Sequence, residues 1–259
     1  MSARDLVMAA AGVPTGSVIG QVEYTTAGTH TWVVPAGVTS VSAVAIGPGG
    51  DCIGLIGAGG GALTYVNDYN VTPGSSYTIV VGSGGSGASS TAFGMIAGGA
   101  PSNDSGLPGF ASGDYTVGST GGSGSAGDYG GGGGAAGYAG QEGDDEDGIG
   151  IGGGGAFREE HDGREGVGGG GGGGGGYSEF TGYAGKGGGT CLRGQGASGT
   201  GGLPGFDGGQ GSAHAGSPAT TSFYGGGGAI YNAGGSGGAV RIIWPGNLRQ
   251  FPSTRTADE

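Results

Sequence analysis

Nine consecutive glycines, Gly168 to Gly176, constrain this chain more than any other feature, in a sequence where 78 of 259 residues are glycine. Glycine has no side chain to bury and loses more backbone freedom on folding than any other residue. Fixing one residue's backbone costs roughly 1–2 kcal/mol, so ordering this run costs on the order of 10 kcal/mol with no apolar burial to offset it. The run is therefore either disordered or held through its own backbone. The backbone solution is an extended helix of the polyproline II kind, with three residues per turn and a rise of about 3.1 Å per residue. A single helix of that kind has no internal hydrogen bonds. Several packed side by side bond N–H to C=O between neighbours, with Cα–H···O contacts adding a little. Only glycine lets backbones come that close.

Several classes can be excluded. Gly130–Gly134, Gly152–Gly155 and Gly225–Gly228 break any Gly-X-Y period, and ten prolines are too few for collagen. Arginine–glycine RNA-binding tracts fail too, since 8 Lys+Arg face 20 Asp+Glu and the nearest match is a lone Arg193-Gly194-Gln195-Gly196. A formal charge of −12 repels nucleic acid and anionic membrane surfaces. Apolar residues at 34% and aromatics at 8% are near globular values, which favours order over a flexible linker.

The ends differ from the middle. No apolar stretch approaches the length of a membrane span. Leu6–Val13 is short for a signal sequence, and Ser2-Ala3-Arg4-Asp5 reads as a capping box opening a short helix. That helix, with Leu6, Val7 and Met8, is marginal alone and is expected to attach to a partner. From Gln21 to Val81 the pattern is strands and turns. Thr29–Val34, Val38–Ile46 and Leu63–Val66 are β-rich, Pro35-Ala36-Gly37 and Thr72–Ser75 are turns, and Tyr77, Ile79 and Val81 share one strand face. Ala239–Trp244 is the only strongly apolar run after residue 100, and it is expected to return and pair with the N-terminal sheet.

Between them the sequence repeats weakly. Leu107-Pro108-Gly109-Phe110 recurs as Leu203-Pro204-Gly205-Phe206, and Gly137-Tyr138-Ala139-Gly140 as Gly182-Tyr183-Ala184-Gly185. Irregular spacing excludes a solenoid of equal rungs and suits glycine segments joined by unequal loops. The loops Pro101–Val117, Gln141–Glu165, Tyr177–Tyr183 and Phe206–Tyr224 hold nearly all the chemistry.

Gly20–Thr26, His30–Val41, Gly238–Gly246 and Arg249–Thr254 resemble the framing segments of the glycine-rich domain of tailed-phage fibre and virion proteins. The middle is similar to the receptor-binding tip adhesins of T-even-like phages. The resemblance implies packed polyglycine II helices carrying variable loops that contact the bacterial surface, here the four loops above. The N-terminus departs from those adhesins, lacking their longer tryptophan-bearing attachment segment.

Little in the chain suits catalysis. His30, His161 and His214 lie far apart, Gly234–Gly238 fits the nucleophile-elbow pattern only as any glycine-rich chain would, and Lys186 precedes glycine rather than Ser or Thr. Asp144, Asp145, Glu146 and Asp147 form the densest charge cluster, without the alternating ligands of an EF-hand. They read as a solvated acidic tip, or as a contact to cationic surface receptors, with no metal expected. The mixed-charge stretch Arg158–Arg164 follows. Exposed aromatics would give rigid contact area and stack on sugar faces, whereas others would cap or cover the glycine segments. Cys52 and Cys191 are expected as free thiols in a reducing cytosol.

The expected fold is mostly β with non-regular structure: a small N-terminal β-sheet or sandwich closed by a C-terminal strand, plus packed polyglycine II helices. The expected division is 1–20 attachment helix, 21–92 β domain, 93–238 glycine-rich domain, and 239–259 closing strand and tail. The expected function is a non-enzymatic phage tail-fibre or tail-tip adhesin in the virion, assembled in the host cytoplasm. Its partners would be fibre, baseplate or capsid proteins and a bacterial surface protein or polysaccharide, within a homo-oligomeric, for example trimeric, assembly. No cofactor, nucleic acid or membrane insertion is expected. Candidate receptor-binding residues are Asp144, Asp145, Glu146, Asp147, Phe157, Arg158, His161, Arg164, Tyr177, Phe180, Tyr183, Phe206, His214, Phe223 and Tyr224. The alternative is a structural virion component such as a fibre shaft, head fibre or decoration protein, in which such aromatics would be buried between subunits.

Overall fold

β-branched and aromatic residues of the N-terminal third form strands because alternate positions bury one face against a second sheet. The structure, a computed structural model, describes residues 18–102, 106–125, 129–139, 155, 161–210, 223–229 and 234–253. The expected helix with Leu6, Val7 and Met8 lies outside these residues. The strands are β1 (Gly20–Tyr24), β2 (Gly28–Val33), β3 (Ser40–Ile46), β4 (Leu63–Asn70), β5 (Ser76–Val81), β6 (Ser90–Ala92), β7 (Met95–Ala97), β8 (Ala111–Gly113), β9 (Val117–Ser119) and β10 (Ala239–Trp244). They make two antiparallel five-stranded sheets, β1-β10-β3-β4-β9 and β2-β5-β6-β7-β8, and no helix occurs among the described residues.

The late apolar run does join the N-terminal sheet, as a central strand. β10 pairs antiparallel with β1 (Gln21 opposite Ile243) and with β3 (Ile242 opposite Ala43). All six of its residues are buried because both faces are covered. Val240, Ile242 and Trp244 face the inter-sheet core with Trp32, Ile79, Phe93 and Met95. Ala239 and Ile243 belong to a second core with Tyr138, Leu192 and Phe251 on the outer face of the sheet. There Asn67 fastens the C-terminal segment, donating to the Phe251 C=O at 2.7 Å and accepting from its N–H at 2.9 Å.

Strands and glycine segments interleave across the expected division at residue 92. β7, β8 and β9 follow it, and β8 falls within the stretch expected as the loop Pro101–Val117. Conversely, the small residues that lead into β4 bond to late segments: Gly61 donates to the Gly225 C=O at 2.7 Å and Ala58 to the Gly228 C=O at 3.0 Å. The Gly47–Ala62 bond, at 2.8 Å, continues the β3–β4 ladder into this region.

The nine-glycine run begins as a turn. Gly170 N–H donates to the Val167 C=O at 3.0 Å, and Gly168 and Gly169 take φ of 57° and 85°, which only glycine adopts without strain. From there the donors rotate among three neighbours with a three-residue period. Gly170, Gly173 and Gly176 donate to Val167, Arg164 and His161; Gly171, Gly174 and Tyr177 to Ala135, Gly132 and Tyr129; Gly172 and Gly175 to Gly209 and Phe206. The carbonyls of Gly170, Gly173 and Gly176 accept from Gly199, Gly202 and Gly205, and those of Gly172 and Gly175 from Gly188 and Gly185. Residues 169–176 are buried, although they carry no side chain to bury.

The packing leaves no room for a Cβ. One at Gly172 would overlap the Thr200 C=O, one at Gly175 the Leu203 C=O, and one at Gly171 the Gly188 C=O. Backbone cannot rotate away as a side-chain tip can. Gly172→Ala is therefore expected to lower unfolding free energy by about 3 kcal/mol or more. Gly237→Ala, where a Cβ meets nothing within 4 Å, should stay within about 0.5 kcal/mol of the parent. Chemical denaturation of the two variants checks this, and equal midpoints would contradict it.

Candidate functional site

The glycine run has two ends with different surroundings. Its beginning lies against the outer core of the sandwich: Tyr138 N–H donates to the Gly168 C=O and the Thr190 hydroxyl to the Gly169 C=O, both at 2.9 Å. Its far end, Gly176, leads into a tight turn. There Ser178 bridges Tyr183, Gly182 N–H donates to the Ser178 C=O at 2.8 Å, and the Thr181 hydroxyl donates to the Tyr183 C=O at 3.2 Å. A second turn, Leu203–Phe206, packs beside it. Phe206 N–H closes that turn on the Leu203 C=O at 2.8 Å, and Gly205 N–H donates to the Gly176 C=O at 2.7 Å. The contact is close enough that a Cβ at Gly205 would overlap the Thr181 side chain.

These two rigid turns hold large apolar side chains in solvent. Phe180 is 95% exposed, Leu203 60%, Phe206 55% and Tyr183 37%. Ordered backbone beneath exposed rings leaves only the side-chain rotamers to be fixed on contact. Beside them Tyr177 and Tyr129 pack ring on ring with centroids 5.3 Å apart, and Tyr129 N–H donates to the Leu55 C=O at 2.9 Å. That brings the Ile53–Ile56 bridge, with exposed Ile53, to the same end. The free Cys52 thiol is half-buried there, and burial, assisted by Asp51, pushes its pKa up, away from reactivity. Polar groups border the apolar turns, where Asp207 Oδ1 accepts from the Lys186 N–H at 2.7 Å.

The expected site residues divide accordingly. Tyr177, Phe180, Tyr183 and Phe206 come together at the far end. His161 and Arg164 belong to a glycine-bonded segment rather than a free loop. Their carbonyls accept from Gly176 and Gly173, and both residues are exposed. Tyr224 lies at the opposite end, exchanging two backbone bonds of 2.9 Å with Thr190 and packing on the outer core, with half-buried Phe223 preceding it. Asp144, Asp145, Glu146, Asp147, Phe157, Arg158 and His214 lie outside the described residues. Leu203, Ile53 and Tyr129 were not among the expected site residues. The available signal was a Leu-Pro-Gly-Phe turn between glycine segments, yet its other copy, Leu107–Phe110, is built differently. Gly109 there donates to the Gly60 C=O at 2.9 Å and takes no positive φ.

A second polar cluster is wholly interior. Arg241, 0% exposed on β10, donates from Nη1 to the Leu192 C=O at 3.1 Å and from Nη2 to Gln21 Oε1 at 2.5 Å, with Glu23 at 3.6 Å from its Nε. Next to it the buried Tyr138 hydroxyl donates to the Cys191 C=O at 2.8 Å. This cluster ties β1 and β10 to the 190–193 segment. Burial, with a smaller effect of the Cys191 thiol, holds the Tyr138 phenol well above the ordinary tyrosine pKa. The phenol is thus neutral in the fold and ionises first in the unfolded chain. Its stabilisation is complete below pH about 10 and lost as pH rises beyond that. Tyr138→Phe should cost about 1 kcal/mol at neutral pH by removing this buried hydrogen bond. In alkaline solution the gap to the parent should narrow, and a pH-independent gap in thermal unfolding would contradict this.

Among the described residues no group of three or more His, Cys, Asp or Glu is arranged to hold a metal ion, and no helix is long and apolar enough to cross a membrane. Compared with known proteins, the chain matches no family model and no curated protein.

Proposed function

We propose that the glycine segments are packed polyglycine II helices and that the protein is a non-enzymatic virion adhesin of a tailed phage. It would bind a bacterial surface protein or polysaccharide through the Tyr177–Tyr183 and Leu203–Phe206 turns. The helix assignment rests on the three-residue rotation of donors along Gly170–Tyr177, because a helix with three residues per turn directs every third N–H to the same neighbour. The adhesin reading rests on the exposure of Phe180, Tyr183, Leu203 and Phe206 together on turns bonded to Gly176. A shaft or decoration protein would bury such rings against a neighbouring subunit. Glycine cannot discriminate between partners, so recognition falls to the side chains that interrupt it, held on a rigid frame.

Binding of the purified protein to host cells tests the reading. Phe180→Ala and Phe206→Ala should each reduce cell binding about tenfold or more, as expected of an aromatic contact anchor. Because both rings are exposed, the melting temperature should not move. Binding that survives both substitutions, or a parent protein that binds no host cell yet assembles into particles, would favour the structural role.

A further inference from the structure

Three of the four sheet edges are covered or guarded among the described residues. On one side of the sandwich β8 and β9 back onto each other, so closely that a Cβ at Gly118 would press on the Ala111 methyl at 2.6 Å. On the other side β1 is guarded by charge. Arg249 Nη1 donates to the Gly20 C=O at 2.7 Å, and Glu23 lies between Arg193 and Arg241 at 4.0 and 3.6 Å.

The edge of β2 has no such device. Val34 N–H donates to the Ser75 C=O and its C=O accepts from Gly74 N–H, both at 2.9 Å. By alternation His30 and Trp32 direct their backbone groups to β5, and Thr29, Thr31 and Val33 direct theirs outward. These three residues are exposed, and their N–H and C=O groups meet no other backbone among the described residues. Natural edges are blunted by charge, proline or bulges. Gly28-Thr29-His30-Thr31-Trp32-Val33 has no Lys, Arg, Asp, Glu or Pro, and its register with β5 is unbroken.

We propose that β2 is an interface strand that pairs antiparallel with β2 of a second copy of this chain, about a two-fold axis at Thr31. The outward parity is self-complementary in that register. Thr31 meets the second copy's Thr31, Thr29 meets its Val33, and the three hydrogen-bonded pairs supply about six bonds. Threonine pairs are favourable across strands, and the Thr29–Val33 pairs cover exposed Val33. Charge leaves β2 as a place where a second copy can approach. Two copies each carrying −12 repel wherever acidic surfaces meet, and β2 brings no charged side chain to the axis. The result is one continuous sheet across both copies, independent of what the far-end turns bind.

Light scattering of the full chain over a dilution series tests this, with the parent expected as a dimer. Thr31→Lys and Thr31→Pro should both give monomers with unchanged circular dichroism, since the side chain and N–H of Thr31 face outward. Thr31→Cys should be joined into a covalent dimer by a short bifunctional thiol cross-linker, because residues at a hydrogen-bonded antiparallel pair lie about 5.5 Å apart at Cα, with Cβ atoms farther apart than a direct disulfide takes. Thr29→Cys, opposite Val33, should not. A parent that is monomeric at every concentration, or assembles as a trimer, overturns the proposal. So does a dimer that persists in Thr31→Lys, or equal cross-linking at positions 29 and 31.

Discussion

Backbone-to-backbone hydrogen bonding between glycine segments is the interaction on which this structure depends. Each buried glycine contributes almost no apolar area, so its entropy loss is offset by main-chain bonds and by close packing. That requires neighbours on several sides at once. Residues 170–176 have them, donating to segments 161–167, 129–135 and 206–209 and accepting from 185–188 and 199–205. The same closeness makes the arrangement intolerant of a methyl group at Gly171, Gly172, Gly174 or Gly175. Composition and architecture are thus one constraint seen twice.

An extended glycine chain carries no side-chain pattern to set its register, and the sandwich supplies one. β3 and β4 hand their pairing on through the Gly47–Ala62 bond, and the Gly238–Gly82 bond at 2.9 Å ties the residue before β10 to the one after β5, across the two sheets. β10 is covered on both faces, and its buried Arg241 binds β1 and the 190–193 segment together. A conventional hydrophobic core therefore aligns the starting points of segments that have none. The distant turns inherit that order, which is how Phe180 can be both fixed in backbone and nearly fully exposed.

Much of the sandwich was legible in the sequence. β2, β3 and β5 were marked by β-branched alternation and by the turns at Pro35–Gly37 and Thr72–Ser75, and Ala239–Trp244 stood out because nothing else after residue 100 is so apolar. β6 to β9 were not legible. They are three residues each, built from Ser, Ala, Gly and single larger residues, and tertiary pairing rather than propensity makes them strands. At the candidate site the aromatics of Tyr177–Tyr183 and Phe206 were readable as interruptions of glycine. Their separation from Tyr224 was not, since only the three-dimensional register shows which loops share an end. Two copies of Leu-Pro-Gly-Phe took different conformations for the same reason, as neighbouring segments and not local sequence decide the turn.

Amide hydrogen exchange within Gly168–Gly176 tests the central claim most directly. If backbone bonding between segments orders this run, the amides from Gly170 to Gly176 should exchange slowly and as one cooperative block, close to the rate of the β10 amides. The Gly168 amide, in the turn, should exchange faster. Immediate exchange throughout the run, with β10 still protected, would mean that the glycines are coil on a folded sandwich and would contradict the account.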